Sequence, residues 1–368
     1  MLLSQFEKLK LPSYGTMPGV AFHCSDLQMS ENGPRVLIFG GQRQGISGAM
    51  YSFEQSSGDG FLLMPEGVEG SGPPPPARTQ ATLTSYGAEP QTQLLLFAGF
   101  VLNVGCVNDL WRVTISLDAA SMPVPSWEQL EASGEAPEPR YGHSATLMGS
   151  KIVTFGGQNT LIQFNDCHVL DPVAAAWSSP TVNGTPPMVR MKHTASAITP
   201  STLLVFGGFN KTERVMADCY KLDLSGDGGS VTWNPAYPEV PAGSKSIPAR
   251  AQHSASVTPD GKFLFIFGGY DGAKSMNDLW LLELASMSLR NLGVETPAPE
   301  PRSRHTTHIC GETALLHIFG GYDGGKPVEG NVYTLDVSDP ASLEGPEAAD
   351  GKDKKDAKKD DEGGDEDA

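Results

Sequence analysis

The sequence predicts an all-β protein: six equivalent four-stranded sheets stacked side by side in a closed ring, a six-bladed propeller. Three observations carry this. An apolar run ending in a pair of small residues occurs six times at near-regular spacing. Each run is flanked by the same two companion motifs. The composition, with 42 glycines and 29 prolines among 368 residues, breaks the chain into short apolar stretches separated by turns.

The six runs are Val36–Gly41, Leu94–Gly99, Lys151–Gly157, Leu203–Gly208, Phe263–Gly269 and Leu315–Gly321. Their small pairs begin at residues 40, 98, 156, 207, 268 and 320, giving spacings of 58, 58, 51, 61 and 52. A repeat of this kind marks a modular fold. Runs such as Phe263–Phe267 are apolar at every position, so both faces of the strand must be covered. Paired glycines at the strand end allow left-handed backbone and close approach of a neighbouring chain.

Upstream of each run stands Arg-x-x-His: Arg140/His143, Arg190/His193, Arg250/His253 and Arg302/His305. The second unit has Arg78 with Ala81 in the histidine position, and the first has Val20 with His23. Downstream comes an acidic-aromatic element: Asn108-Asp109-Leu110-Trp111, Asn165-Asp166-Cys167-His168, Ala217-Asp218-Cys219-Tyr220, Asn277-Asp278-Leu279-Trp280 and Gly330-Asn331-Val332-Tyr333. It degrades to Gly48-Ala49-Met50-Tyr51 in the first unit. Tryptophans 127, 177 and 233 open the segment that follows. These landmarks assign four strands per unit: a beside the histidine, b the apolar run, c the Tyr/Trp position, and d the tryptophan segment. One such sheet cannot bury both faces alone, so the units must stack.

With this pattern the sequence resembles the kelch-repeat family, most closely in Phe263–Leu284, and the resemblance covers residues 1 to about 337. It implies a kelch propeller over 1–337 and sets residues 338–368 apart as a tail. The sixth unit lacks a strand d after Val337. The N-terminal Phe6-Glu7-Lys8-Leu9 lines up with Trp127-Glu128-Gln129-Leu130, so residues 4–10 are expected to supply it and remove an exposed sheet edge.

Two stretches exceed the repeat minimum. Ser56–Ala77 holds four consecutive prolines, 73–76, and reads as a stiff spacer or a ligand for a proline-reading domain. Leu224–Ser246 reads as a long surface loop. From Glu344 to Ala368 the tail holds eleven acids and five lysines without an aromatic or β-branched residue, and is expected to be disordered. It reads as a solubilising tail or as a docking strip for a basic partner.

The net charge of −17 disfavours a nucleic-acid or anionic-membrane partner. No run of eighteen apolar residues and no secretory signal is read. The five cysteines, 24, 106, 167, 219 and 310, form no CxxC pair and read as reduced, buried thiols. A cytoplasmic, monomeric protein is expected, with a cilium or the cytoskeleton as the alternative location.

The resemblance places the loops joining d to a and b to c on one face of the ring. Arg78, Arg140, Arg190, Arg250, Arg302 and Arg304, with Tyr270 and Tyr322 from the b–c loops, are therefore the candidate partner-binding residues of a central mouth. Arginine's planar fork suits carboxylates, and some kelch relatives hold acidic peptides this way. The alternative is that these arginines pair with loop acids such as Asp271 and Asp323 and stitch the blades together. On the first reading, Arg140→Ala with Arg250→Ala weakens partner binding and leaves the fold intact. The histidines at 143, 193, 253 and 305 are expected to be core groups.

No His/Cys/Asp set at metal-ligand spacing and no nucleophile elbow is read, so no cofactor is expected and a non-catalytic adaptor or scaffold is favoured. The short stand-alone kelch proteins it resembles include the Rab9 effector type, which makes a small GTPase a candidate partner. The alternatives are a stable subunit of a ciliary or cytoskeletal assembly and a metal-dependent kelch enzyme.

Overall fold

In a computed structural model, which describes residues 7–9, 20–30, 33–42, 45–54, 62–63, 72–87, 92–117, 123–240, 246–293, 298–310, 314–328 and 332–343, the chain forms six sheets, each with an antiparallel core. Blade 1 runs from strand a to strand d as Cys24–Ser30, Gly33–Phe39, Met50–Glu54 and Leu62–Leu63. Blade 2 splits strand a into Arg78–Thr79 and Thr82–Tyr86, followed by Gln93–Val101, Gly105–Leu117 and Pro123–Leu130. Blade 3 is Ser144–Met148, Lys151–Phe155, Cys167–Asp171 and Ala176–Ser178. Blade 4 is Thr194–Thr199, Thr202–Asn210, Arg214–Leu224 and Ser230–Pro235. Blade 5 is Ser254–Val257, Phe263–Tyr270, Ser275–Glu283 and Ser288–Asn291. Blade 6 takes Thr306–Cys310, Leu315–Phe319 and Val332–Asp336 from the end of the chain and Glu7–Leu9 from its beginning.

That last pairing closes the ring. Glu7, Lys8 and Leu9 face Thr334, Tyr333 and Val332, antiparallel. In blade 2, Gln129 faces Trp111 and Leu130 faces Leu110, so the N-terminal strand sits in the register that its likeness to Trp127–Leu130 predicts. The six strands a pack on one another in an unbroken circuit.

Apolar contact between blades follows one plan. The strand b phenylalanine of one blade packs against the strand d tryptophan of the next: Phe39–Trp127, Phe97–Trp177 and Phe155–Trp233, with ring centroids 5.1, 4.9 and 4.8 Å apart. Aromatic pairs of this size supply much of the buried area.

The stretches read as long loops hold strands. Leu62–Leu63, inside Ser56–Ala77, pairs with Tyr51 and Ser52. Ser230–Pro235, inside Leu224–Ser246, buries Val231 and Trp233 against Leu224 and Leu222, so only a tight turn at Ser225–Gly229 separates c from d. Blades 3 and 4 also gain a fifth, parallel strand from the connection that precedes them: Ser133–Gly134 beside Ala176–Ser178, and Thr181–Gly184 beside Ser230–Pro235. These cover outer edges that four strands alone would leave open. After Val337 the chain makes a 3-10 turn, Pro340–Ser342, whose carbonyls accept from Arg290, and Leu343 is buried with blades 5 and 6. The tail from Glu344 onward lies outside the described residues.

Candidate functional site

The Arg-x-x-His element has a distinct task at each position. Arg78, Arg140, Arg190, Arg250 and Arg302 are at most 1% exposed. In blade 3 the Arg140 Nε donates to Glu138 O, Nη1 donates to Gly156 O, and the fork closes on Asp166 Oδ1 and Oδ2 at 2.7 Å each. Arg78 does the same with Asp109, Arg190 with Asp218 and Arg250 with Asp278. Burial works against the Asp166 charge, yet the bonds from Arg140 and His168 outweigh it and hold its pKa below the usual carboxylate range.

These five arginines are therefore not the rim of the mouth. Their forks are consumed inside their own blades by a carbonyl and a carboxylate. The partners are Asp109, Asp166, Asp218 and Asp278, at or just before strand c, and Glu300 for Arg302, not Asp271 and Asp323, whose Oδ1 atoms instead accept backbone N–H groups of their own loops. The asparagine before the aspartate reaches the next blade: Asn108, Asn165 and Asn277 donate to Pro137, Pro187 and Pro299 carbonyls.

The glycine pair completes the junction. The N–H of residues 41, 99, 157, 208, 269 and 321 donates to the carbonyl at the arginine position of the following blade, with Gly321 closing on Val20. A Cβ on Gly40 would lie 2.5 Å from Arg78 O, and one on Gly268 2.8 Å from Arg302 O. Glycine fills this position in five blades, and blade 2 places Ala98 there in the same left-handed backbone, φ 60°.

The histidine bridges neighbouring blades. His143 Nε2 meets Thr82 Oγ1, His193 meets Ser144, His253 meets Thr194, His305 meets Ser254 and His23 meets Thr306, at 2.8–3.0 Å. Burial keeps all five neutral, with His23 lowered to about 4 and His143 and His305 to about 3. The sixth junction has Ala81 where the histidine would be and Cys24 where the hydroxyl would be. Both halves of the bond are lost together, and the two side chains join an apolar cluster with Leu37 and Leu83, so no polar atom is orphaned.

The residue just before each histidine forms the mouth. Phe22, Gln80, Gly142, Lys192, Gln252 and Arg304 all adopt left-handed backbone, φ 56–67°. Their peptides link head to tail: Phe22 N to Arg304 O, Gln80 N to Phe22 O, Gly142 N to Gln80 O, Lys192 N to Gly142 O, Gln252 N to Lys192 O and Arg304 N to Gln252 O, at 2.7–3.1 Å. At this hoop lies a central cavity of about 280 Å³, lined by the hoop residues and the histidine-bearing segments at the start of strand a around the ring.

Two cations converge there. The Arg304 guanidinium lies 4.2 Å from the Phe22 ring centroid and 4.5 Å from that of Tyr322, and its Nε donates to Gln252 Oε1 at 3.0 Å. Lys192 Nζ lies 5.3 Å from the same Phe22 ring. Among the described residues neither lies within ion-pair distance of a carboxylate. Burial, reinforced by Arg304, lowers the Lys192 pKa to about 8.

Of the residues proposed from sequence, the structure brings Arg304 and Tyr322 to the mouth. Tyr270 is on the neighbouring b–c loop with its hydroxyl donating to Gly272 O. Lys192, Gln252, Gln80 and Phe22 were missed. The available signal was positional, since they share the Arg304 column directly before the histidine or its replacement, but their types differ and no motif marks them.

Among the described residues no group of three or more His, Cys, Asp or Glu is placed to hold a metal ion, and no helix is long and apolar enough to cross a membrane. The KLHDC2/KLHL20/DRC7 Kelch-repeats domain matches residues 26–239 and 231–347. Adagio-like protein 1 of Oryza sativa subsp. japonica is 31% identical over 61% of this chain. The flagellar outer arm dynein alpha chain of Chlamydomonas reinhardtii is 35% identical over 54%. Host cell factor 1 of Rattus norvegicus is 28% identical over 78%. The chain spans 35%, 4% and 15% of those three proteins' own lengths.

Proposed function

The chain belongs to the kelch-repeat propeller family, and on that premise we propose that it is a non-catalytic protein-interaction platform that holds an acidic segment of a partner at the central mouth. One observation carries this reading: Lys192 and Arg304 are half-buried at the mouth, backed by Phe22 and Tyr322, with no carboxylate at ion-pair distance among the described residues. Two like charges in a partly desolvated site repel, and an incoming carboxylate relieves that repulsion. A guanidinium held against aromatic faces keeps N–H groups in its plane that can donate to a carboxylate.

The non-catalytic part rests on the surrounding groups. Burial raises the thiols of Cys24, Cys167, Cys219 and Cys310 to about 12, far from a reactive thiolate. The channel histidines occur as near-identical copies in successive blades and are engaged in structural bonds.

Fluorescence anisotropy of a labelled oligoglutamate peptide tests the reading. Binding is expected to weaken at least about tenfold in Lys192→Glu with Arg304→Glu, a loss of about 1.4 kcal/mol or more. Affinity is also expected to fall as pH rises through about 8, because Lys192 loses its proton there. Equal affinity in variant and wild type overturns the site. A second reading, a stable subunit of a ciliary or cytoskeletal assembly, draws on the likeness to the flagellar outer arm dynein alpha chain. It is compatible with the same mouth, and it predicts co-sedimentation with axonemal complexes.

A further inference from the structure

The described b–c loops project from the face that carries the mouth, and they are not alike. Those of blades 5 and 6, Asp271–Lys274 and Asp323–Lys326, are polar and close on the aspartate side chain. Blade 4 has Lys211-Thr212-Glu213-Arg214, folded onto Asn210. Blades 2 and 3 instead expose aliphatic side chains at their tips. Leu102 and Val104 are 59% and 71% exposed, and Leu161 and Ile162 are 81% and 56% exposed.

The two tips lie together. The Cys106 thiol, two residues after Val104, lies against the backbone at Thr160, next to Leu161, and Phe100 of blade 2 packs on Tyr141 of blade 3. In blade 3, Asn159 Oδ1 accepts from the N–H of both Leu161 and Ile162, which fixes the turn with these side chains outward. Four large aliphatic groups on adjoining tips, in a chain of net charge −17, form the kind of apolar surface that marks a contact site.

The hoop at the mouth is also uneven. Five of its six positions carry a side chain, and the sixth, in blade 3, is Gly142. Its neighbour Tyr141 packs edge-on against Phe100 of the blade 2 hairpin, centroids 5.9 Å apart. On the side leading to the aliphatic tips the hoop therefore contributes no side chain of its own, and Lys192 Cγ and Gln80 Oε1 flank the position at 3.5 and 3.6 Å from where a Cβ would stand.

We propose that the mouth and these tips form one continuous docking surface. It takes a short extended segment of a partner protein, with an Asp or Glu carboxylate at Lys192 and Arg304 and Leu, Ile or Phe side chains a few residues away on Leu102, Val104, Leu161 and Ile162. The segment crosses at Gly142. This rests on the mouth reading above and adds the apolar half of the recognised sequence. The cations select charge and the tips select aliphatic bulk, so neither half alone gives full affinity.

The test uses the full chain and a randomised short-peptide phage library, followed by anisotropy with the enriched peptides made synthetically. Wild type is expected to enrich peptides that combine acidic with aliphatic or aromatic residues. Val104→Ser with Leu161→Ser alters exposed positions only, adds no charge, and is expected to leave thermal unfolding unchanged. It is expected to weaken those peptides about tenfold while leaving an oligoglutamate peptide unaffected. Gly142→Gln installs the residue type that blades 2 and 5 carry at the same left-handed position, and is expected to give the same selective loss. If enriched peptides are acidic without aliphatic preference, or are indifferent to the tip and Gly142 variants, the docking surface is refuted while the mouth stands. If peptides are indifferent to Lys192→Glu with Arg304→Glu, both readings fall together.

Discussion

At the scale of single residues, the repeat is a set of polar bonds that can be replaced only in pairs. Blade 6 has Asn331 at the aspartate position, and Arg302 takes its carboxylate from Glu300, which also accepts the Tyr333 hydroxyl. Blade 1 drops the arginine and the aspartate together, as Val20 and Ala49, and Val20 enters an apolar cluster with Val36 and Phe319. Removing one partner alone is a different matter. Arg140→Ala leaves Gly156 O without its donor and Asp166, whose side chain is 37% exposed, without its main partner, and is expected to cost about 1.5–3 kcal/mol. With Arg250→Ala added, the protein is expected to lose cooperative unfolding in a urea titration, not merely partner binding as the motif alone suggested. Arg140→Met with Asp166→Leu, imitating blade 1, is expected to recover much of the loss. A midpoint for Arg140→Ala equal to wild type contradicts this account. The motif's spacing was legible in the sequence. Its destination was not, because an arginine fork suits an incoming peptide and an internal aspartate equally well, and only burial separates the two.

At the scale of strands, the join between first and last blades rests on a short ladder. Glu7–Leu9 supplies only three pairs to Val332–Asp336, yet it covers the outer edge of blade 6 and joins the two ends of the chain. Deleting residues 1–11 is expected to lower the unfolding temperature of the whole propeller by a few degrees, since about 1 kcal/mol shifts a domain of 150–250 residues by roughly 2–4 °C and a larger one by less. Unchanged melting of the truncated chain contradicts the closure. The register of this strand was readable because Phe6–Leu9 repeats the pattern of Trp127–Leu130. The outer strands were less legible. Leu62–Leu63 and the parallel additions at Ser133–Gly134 and Thr181–Gly184 carry little apolar periodicity, and backbone pairing to a neighbour is what makes them strands. Likewise, the aliphatic tips of blades 2 and 3 look like ordinary turn residues until the ring sets them beside one another.

At the scale of the whole molecule, the histidine bridges give stability a pH dependence with a definite sign. Burial lowers His23 to about 4 and His143, His305 and His308 to about 3. The unfolded chain therefore binds protons that the folded one refuses between about pH 6.5 and 4. Stability contributed by these groups is intact above about 6.5 and declines on acidification, by up to about 1.4 kcal/mol per pH unit for each histidine. Urea midpoints are expected to fall markedly between pH 7 and 5, and less so in His143→Ala. Equal midpoints at the two values contradict the assignment.

The head-to-tail peptide links around the mouth extend this to shape. A helix or a strand has termini at which bonds come undone one at a time, but a loop of six links has none. Widening the aperture would stretch every link at once. The opening therefore behaves as a fixed gauge, and whatever enters must adapt its own backbone to it.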